Sequence, residues 1–418
     1  MLGLLVVCSL SMPGVEPAAI ANVNPELKAY LLEAAENYPG LAARHAEWRA
    51  AMERIPQITS LDDPVFTYAP FLKSDTNNVR FTLAQKFPWF GTLKAQGDSS
   101  AAEANAALER FYAARNAVFA AVKRAYFEYA FLTASIDVTD AQLELLRSTE
   151  EIVRSKYSLG VASEGDLLRV QIEQTTVKDR MDSLDRERAV RSAVLSETIG
   201  RSTATILPAP QESPLPPPAP SPEEVLARVR QTNPELVAFD HLVESGKQQE
   251  ILSRKRGLPN LTVGLMYTQR SSIGGEDFVM PSVSVNLPIW RNRIKAGVEE
   301  ARLRTEAARH QKRGRALALE STAQSVLFGM EDALRRYHLY EDSLLPKAQQ
   351  SFQSLQNAYA SGATDANFLD VLDSVRFLLN FQLDQLRAKR DVHLAAAELE
   401  NIIGGRGIPK EESATAAN

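Results

Sequence analysis

The stretch Val79-Arg-Phe-Thr-Leu-Ala-Gln-Lys-Phe-Pro-Trp-Phe-Gly91 contains two kinds of structural signal in one short run. Apolar and polar side chains alternate from Val79 to Phe87, which predicts a β-strand with one apolar and one polar face. Val65 to Leu72 is a less regular partner, and the polar residues between the two segments suit a hairpin turn. After Gly91 a long helical pattern begins. The stretch therefore predicts a strand that leads directly into a helix.

Two very long helices are predicted, Gly91 to Lys156 and Arg291 to Ala358, with Pro346 inside the second. At 1.5 Å per residue each would extend about 100 Å. Apolar residues of the first recur at coiled-coil spacing, and alanine on its other faces lets neighbouring helices approach from several sides. Return helices are predicted from Asp166 to Ile199 and from Phe368 to Ile403.

Each half also begins with a helix of roughly half that length. The first runs from Pro25 to Glu53 with Asn24 as its N-cap, and the second runs from Glu223 to Lys255. Stacked in pairs, these helices and the return helices match the two long helices in length. We therefore expect an antiparallel coiled-coil layer of four helical columns.

The chain is an internal duplication, because four landmarks recur in the same order at an offset of about 209 residues that drifts slightly. The pairs are Asn24-Pro25-Glu26-Leu27 with Asn233-Pro234-Glu235-Leu236, Phe87-Pro88-Trp89 with Leu287-Pro288-Ile289-Trp290, Tyr157 to Gly160 with Tyr359 to Gly362, and Ile199-Gly200 with Ile403-Gly404. The predicted segments are a signal peptide at 1–21, a first repeat at 22–207, an extended proline-rich linker at 208–222, a second repeat at 223–404 and a disordered tail at 405–418.

A second hairpin with alternating faces is predicted over Leu261 to Tyr267 and Val279 to Leu287, which gives four strands per chain. An open sheet in a bilayer would leave unpaired backbone groups at its edges. Three copies would close the sheet with about 12 strands, within the range of outer-membrane barrels. The expected fold is mainly α with a small β part: a long antiparallel coiled-coil α-barrel and a four-stranded contribution to a trimeric transmembrane β-barrel.

Composition and charge exclude several classes of protein. The 418 residues are 24% charged and have a net charge of −5, with acidic and basic residues interleaved, which excludes a helical membrane bundle and argues against a nucleic-acid partner. No nucleophile elbow or phosphate loop occurs, so no catalytic residue and no cofactor is expected. The five histidines show no metal-ligand spacing, so no metal site is expected: His45, His241, His310, His338 and His393.

The N-terminus resembles an export signal. Leu2 to Met12 is apolar and Ala19-Ile20-Ala21 provides a small-residue cleavage site, but basic residues before the apolar run are missing. A start assigned too far downstream, or a buried helix, would explain that gap. Cys8 lies in a weak lipoprotein-like context after Val7, and a core cysteine of the apolar run is the better interpretation.

The paired starts, the Phe87-Pro88-Trp89-Phe90-Gly91 and Leu287-Pro288-Ile289-Trp290 junctions and the two hairpin turns together resemble the TolC family of outer-membrane efflux channels over residues 24 to 404. The resemblance implies a homotrimer in the outer membrane that extends into the periplasm and docks on a periplasmic adaptor of an inner-membrane pump. An RND-type pump is expected. The duct of a type I protein secretion system and a non-channel periplasmic coiled coil remain as alternatives, and the exported substrate is left open.

The resemblance also implies roles for particular residues. The hairpin turns would form the tips that contact the adaptor, although glycine there also serves a turn at positive φ. Trp89 and Trp290 would anchor the membrane interface, or pack at the strand-to-helix bend. The candidate tip residues are Leu159, Gly160, Val161, Ser361, Gly362 and Ala363.

The run Asp370-Val371-Leu372-Asp373 lies just inside the last return helix. Asp370 and Asp373 share one helix face, and the helix dipole by itself would explain carboxylates in a first turn. In family channels that carry this run, the aspartates form a ring that narrows the periplasmic aperture. The resemblance therefore implies six carboxylates around a trimer axis, a field that selects cations.

Overall fold

The computed structural model describes residues 24–73, 76–203, 207–270, 276–361 and 367–404. The signal-peptide prediction at 1–21, Cys8 and the predicted tail at 405–418 lie outside these ranges. Within them the chain is mostly helical with one small antiparallel sheet. The helices are α1 Pro25–Asn37, α2 Pro39–Thr59, α3 Thr92–Ser158, α4 Glu164–Ile199, α5 Pro222–Thr232, α6 Pro234–Lys255, α7 Arg291–Leu339, α8 Leu345–Ser361 and α9 Phe368–Ile403. None of these described helices combines the length and apolar character needed to cross a bilayer.

The helix predicted from Pro25 to Glu53 is two helices, so that prediction was wrong. Asn24 caps α1 as expected, and its Oδ1 accepts a hydrogen bond from the Leu27 N–H at 2.7 Å. Tyr38 then adopts an extended backbone with ψ 115°. The cause is Pro39, whose ring disfavours the helical conformation at the residue before it.

The helix predicted from Glu223 to Lys255 is likewise two helices, because Asn233 separates α5 from α6 ahead of Pro234. The structural counterpart of Asn233-Pro234 is therefore Tyr38-Pro39 and not Asn24-Pro25. Asn24 corresponds instead to Ser221, since each caps a helix that begins with proline. The duplication is real, but the offset at the start of each half is about 195 residues and the expected pairing of the two Asn-Pro-Glu-Leu motifs was wrong.

The two long helical segments form close to their predicted bounds. α3 is an uninterrupted helix of 67 residues. Its counterpart is interrupted by a single π-helical turn, Tyr340–Leu344, between α7 and α8. Pro346 follows this turn and cannot donate a backbone hydrogen bond, and the Leu345 N–H bonds five residues back to the Tyr340 carbonyl.

The return helices begin at side-chain caps, as their predicted starts require. Ser163 and Asp166 form a reciprocal capping box at α4, with both side-chain-to-backbone distances 3.2 Å. Asn367 caps α9 through a hydrogen bond from the Leu369 N–H at 3.2 Å. α4 ends at Ile199 and is capped by Gly200, whose φ of 88° lies in the left-handed region.

The sheet contains β1 Val65–Lys73, β2 Thr76–Phe87, β3 Leu261–Gln269 and β4 Phe278–Val285, in the order β1-β2-β3-β4 with every pair antiparallel. Register aligns most of the large apolar residues on one exposed face, as in the row Phe66, Leu83, Leu265 and Pro281, whereas Val65, Met266, Phe278 and Met280 lie on the other face. The opposite face carries mostly Thr, Ser and small residues. β1 and β4 are the edges of the sheet within one chain, and each contains a proline, which has no backbone N–H to donate to a neighbouring strand.

The chain divides into two compact units, each containing segments of both halves. One consists of Met1–Ala42, Ala113–Asn233 and Ala318–Asn418, and the other of Ala43–Tyr112 and Pro234–Leu317. In the first, Leu27, Leu31 and Tyr126 belong to a core between α1, α3 and α4. The second contains the sheet.

Residues 207–221, which include most of the predicted proline-rich linker, form neither helix nor strand and are attached to other parts of the first unit. The Leu207 N–H donates to Ser192 Oγ at 2.8 Å, and Tyr129 donates to the Leu207 carbonyl at 2.7 Å. Glu212 pairs with Lys389 of α9 at 2.8 Å. The linker is therefore part of the packed structure.

Candidate aperture, tip and membrane-interface residues

Asp370 and Asp373 lie in the first two turns of α9, and both are exposed. The intervening Val371 and Leu372 are buried in a core with residues of α3, α4 and α8. Helical geometry therefore directs the two carboxylates away from this core. The two residues share an exposed face, as the sequence predicts.

The two carboxylates differ in their electrostatic surroundings. Asp373 lies 3.3 Å from Arg376, which also pairs with Glu173 of α4 at 2.6 Å. Hydrogen bonding to Glu173, and to a lesser extent the Asp373 charge, raises the pKa of Arg376. Asp370 forms no ion pair with any residue in the described ranges. The negative charge of Asp373 is thus partly compensated, whereas that of Asp370 is not.

Sequence reasoning missed Glu173 and Arg376. The ion pair between Asp373 and Arg376 could have been predicted from the sequence, because oppositely charged residues three apart on a helix are neighbours. Nothing local indicates Glu173, which reaches Arg376 only because α4 and α9 pack together. This pair connects the two return helices one to two turns beyond the candidate aperture residues.

The first hairpin turn places two apolar side chains in solvent. Leu159 is 74% and Val161 is 69% exposed, and Gly160 between them has a φ of 74°. The turn is closed by hydrogen bonds from the N–H groups of Gly160 and Val161 to the carbonyls of Tyr157 and Lys156, both at 2.9 Å. The turn therefore presents a defined pair of apolar residues.

The second turn is described only in part. Ser361 ends α8, and its Oγ donates to the Ala358 carbonyl at 3.1 Å. Gly362 and Ala363 lie outside the described residues. Lys156 joins the two turns, because its Nζ donates to the Tyr359 carbonyl and lies 4.3 Å from the centre of the Tyr359 ring.

Glu150 holds α3 against α4 close to the first turn. Its carboxylate accepts hydrogen bonds from Gln171 at 3.0 Å and Gln174 at 2.9 Å, both on α4, and from Arg154 on its own helix. These hydrogen bonds, with that of Gln171 the strongest influence, lower the pKa of Glu150 to about 2. The base of the turn is therefore a satisfied polar network with a permanent negative charge at neutral pH.

The two tryptophans lie in the connections between strand and helix, beyond the last residue of each hairpin. Trp89 is 37% exposed, contacts Phe90 edge-on, and donates its backbone N–H to Asn260 Oδ1 at 3.1 Å. Trp290 directly precedes α7 and is 71% exposed. Trp290 therefore has the more open ring of the two.

The outer membrane efflux protein family model matches the chain twice, over residues 31–201 and 225–405. No curated protein matches the sequence. The two family matches follow the two halves, and their spacing agrees with the corrected offset.

Several solved structures share the fold. The outer membrane protein VceC from Vibrio cholerae is 18% identical, with 93% of this chain and 99% of that chain covered and a TM-score of 0.76. The open state of the Neisseria gonorrhoeae MtrE outer membrane channel is 18% identical, with 94% and 93% covered and a TM-score of 0.75. The Campylobacter jejuni CmeC outer membrane channel is 13% identical, with 91% and 86% covered and a TM-score of 0.75.

The resemblance to TolC-like channels, the mainly helical fold with a small antiparallel sheet, and the internal duplication are thereby confirmed. Members of the family are trimeric, passive outer-membrane components of tripartite efflux pumps and are not enzymes. The match to this family of channels also argues against the alternative of a non-channel periplasmic coiled coil. Because the family model covers most of both halves, the chain belongs to the outer membrane efflux protein family.

Proposed function

We propose that three copies of this chain close into a 12-stranded barrel and form a passive duct from the periplasm to the outside. The four-stranded sheet is the main observation that supports this proposal. Its four strands expose one predominantly apolar face, and within one chain the edges β1 and β4 are unpaired. An apolar face of this kind suits lipid, and joining the edges of neighbouring copies satisfies the backbone groups that a bilayer cannot.

We further propose that the duct serves a tripartite efflux system with an RND-type inner-membrane pump. The two exposed turns would contact the periplasmic adaptor. Leu159 and Val161 support this role, since exposed apolar side chains on a fixed turn offer the contacts that a protein partner buries. Gly160 and Ser361, with Gly362 and Ala363, complete the proposed contact set.

Asp370 and Asp373 are proposed to line the periplasmic aperture. Their common exposed face supports this placement, and in a trimer it would bring six carboxylates near one axis. Trp89 and Trp290 are proposed as anchors at the membrane interface, where an aromatic ring with a polar N–H is favoured. The high exposure of Trp290 supports its assignment more strongly than that of Trp89.

Fractionation and bilayer recording test the proposed duct. The full-length protein should be extracted from outer membranes by detergent, migrate as a trimer that heating dissociates, and conduct ions in planar bilayers. A monomer in the soluble periplasmic fraction, or a trimer without conductance, would refute the proposal. Co-purification with an RND pump and its adaptor, compared with an ABC transporter, distinguishes efflux from type I secretion.

A further inference from the structure

A cavity of about 180 Å³ lies where α3, α4 and α9 meet, and its lining is rich in arginine. Its charged residues are Arg180, Arg191, Arg387 and Arg390 with Glu128 and Glu187. The polar lining also includes Ser135, which is almost fully buried. All of these residues belong to one compact unit.

Three of the four guanidinium groups have carboxylate partners. Arg191 pairs with Glu128 at 2.6 Å and with Glu187 at 3.7 Å, Arg387 with Asp384 at 2.7 Å, and Arg390 with Asp391 at 2.7 Å. Arg180 differs, because it forms neither an ion pair nor a hydrogen bond with any residue of the described ranges, although it is partly buried. It is the unmatched positive charge of the cavity.

The surroundings of Arg180 disfavour its positive charge when no anion compensates it. Burial lowers the pKa of Arg180, and the like charge of Arg387 lowers it further. A partly buried arginine next to a second one is normally compensated by an anion. Two turns closer to the start of α4, Glu173 supplies that compensation for Arg376 of α9. At Arg180 the equivalent carboxylate is missing from the described residues.

We propose that this cavity binds a small oxyanion, of the size and chemistry of phosphate, between Arg180 of α4 and Arg387 of α9. Guanidinium groups match the geometry of phosphate and carboxylate oxygens and can form paired hydrogen bonds with them. The cavity volume admits an ion of this size together with water. The bound ion would connect the two return helices, as the Glu173–Arg376 pair does nearer to the aperture residues.

The site is tested by thermal unfolding of the full-length protein in detergent. Unfolding in sodium phosphate is compared with unfolding in sodium chloride of equal ionic strength. The midpoint temperature of wild-type unfolding should be a few degrees higher in phosphate than in chloride. This increase should saturate as the phosphate concentration rises. Arg180→Gln should abolish the saturable rise. It should also unfold at a higher temperature than wild type in chloride, because the like-charge repulsion is removed. Arg387→Gln provides a second variant with the same expected loss of response.

Arg188→Gln is the matched control, since Arg188 lies on the same helix and is paired with Asp185 at 2.9 Å. This variant should keep the wild-type response to phosphate. Phosphate also stabilises proteins without binding, but that effect is independent of Arg180. An equal rise in wild type and Arg180→Gln, or no rise in wild type, would overturn the proposal.

Discussion

His393 is one of the five histidines without metal-ligand spacing that the sequence indicates as surface or packed residues, and in the structure it is buried. It is 7% exposed, and its ring stacks on Phe127 with centroids 4.0 Å apart. Its Nε2 has no hydrogen-bond partner among the described residues. Burial, with a smaller contribution from Lys389, lowers the pKa of His393 to about 4. Only the three-dimensional contact of α3 with α9 creates this environment.

This shift predicts a loss of stability in mild acid. The folded-state pKa lies below the ordinary value of 6.5, so the unfolded chain takes up the proton first. The contribution of His393 to the free energy of unfolding is constant above pH 6.5 and decreases as the pH falls toward 4. Below pH 4 it levels off, after a total loss of about 3 kcal/mol.

Urea unfolding measured between pH 4 and pH 7.5 should show this loss of free energy in the wild-type protein and not in His393→Phe. The exposed His310 gives the control, because His310→Gln should retain it. An identical acid loss in all three proteins would contradict the prediction.

Asp370 and Asp373 are expected to contribute unequally to cation selectivity. Arg376 compensates part of the Asp373 charge, whereas Asp370 has no described ion-pair partner. In planar bilayers with a KCl gradient, Asp370→Asn should therefore reduce the reversal potential more than Asp373→Asn. Asp185→Asn, at a carboxylate paired with Arg188, should leave it unchanged. If the double Asp370→Ala and Asp373→Ala variant keeps wild-type conductance and selectivity, these residues do not line the aperture.

Helix and strand bounds follow closely from the sequence wherever a local signal sets them. Ser163 and Asn367 cap α4 and α9 near the predicted starts, because capping depends on residues within one turn. The break at Tyr38 was missed although Pro39 marks it, since a favourable helical pattern continues on both sides. Two identical Asn-Pro-Glu-Leu motifs also misaligned the halves. The motif begins helices in general, and it occurs at two structurally different helix starts.

Two glycines at positive φ are expected to differ in how they tolerate alanine. At Gly160 a Cβ atom would meet nothing within 4 Å, so Gly160→Ala should cost only the backbone strain, about 1 kcal/mol. At Gly200 the same atom would approach the Asn37 carbonyl oxygen to 2.9 Å, so the end of α4 or of α1 would have to move. Gly200→Ala should therefore lower the free energy of unfolding by more than about 2 kcal/mol, measured by chemical denaturation. Equal losses would show that the contact with Asn37 does not matter.

Neighbouring copies are expected to join their sheets edge to edge in the trimer. In one chain, β1 and β4 are separated by two strands, about 14 Å at the usual strand spacing, which is too far for a disulfide within the sheet. In a closed trimer, the same two edges would be adjacent between copies. The sequence anticipated the four strands from their alternation, but no local signal gives the register between copies. That register must be scanned.

The register can be scanned with double-cysteine variants, each with one cysteine in β1 and one in β4. The positions are Thr67 or Ala69 in β1 and Ser282 or Ser284 in β4, which all lie on the polar face of the sheet. Oxidation in outer membranes should give covalent dimers and trimers in at least one of these four combinations on a denaturing gel. The control is Thr82→Cys with Met266→Cys, which lie directly opposite each other in β2 and β3 and should cross-link within one chain. A monomer in every β1–β4 combination, with the control cross-linked, would contradict edge-to-edge closure in the registers that these four combinations sample.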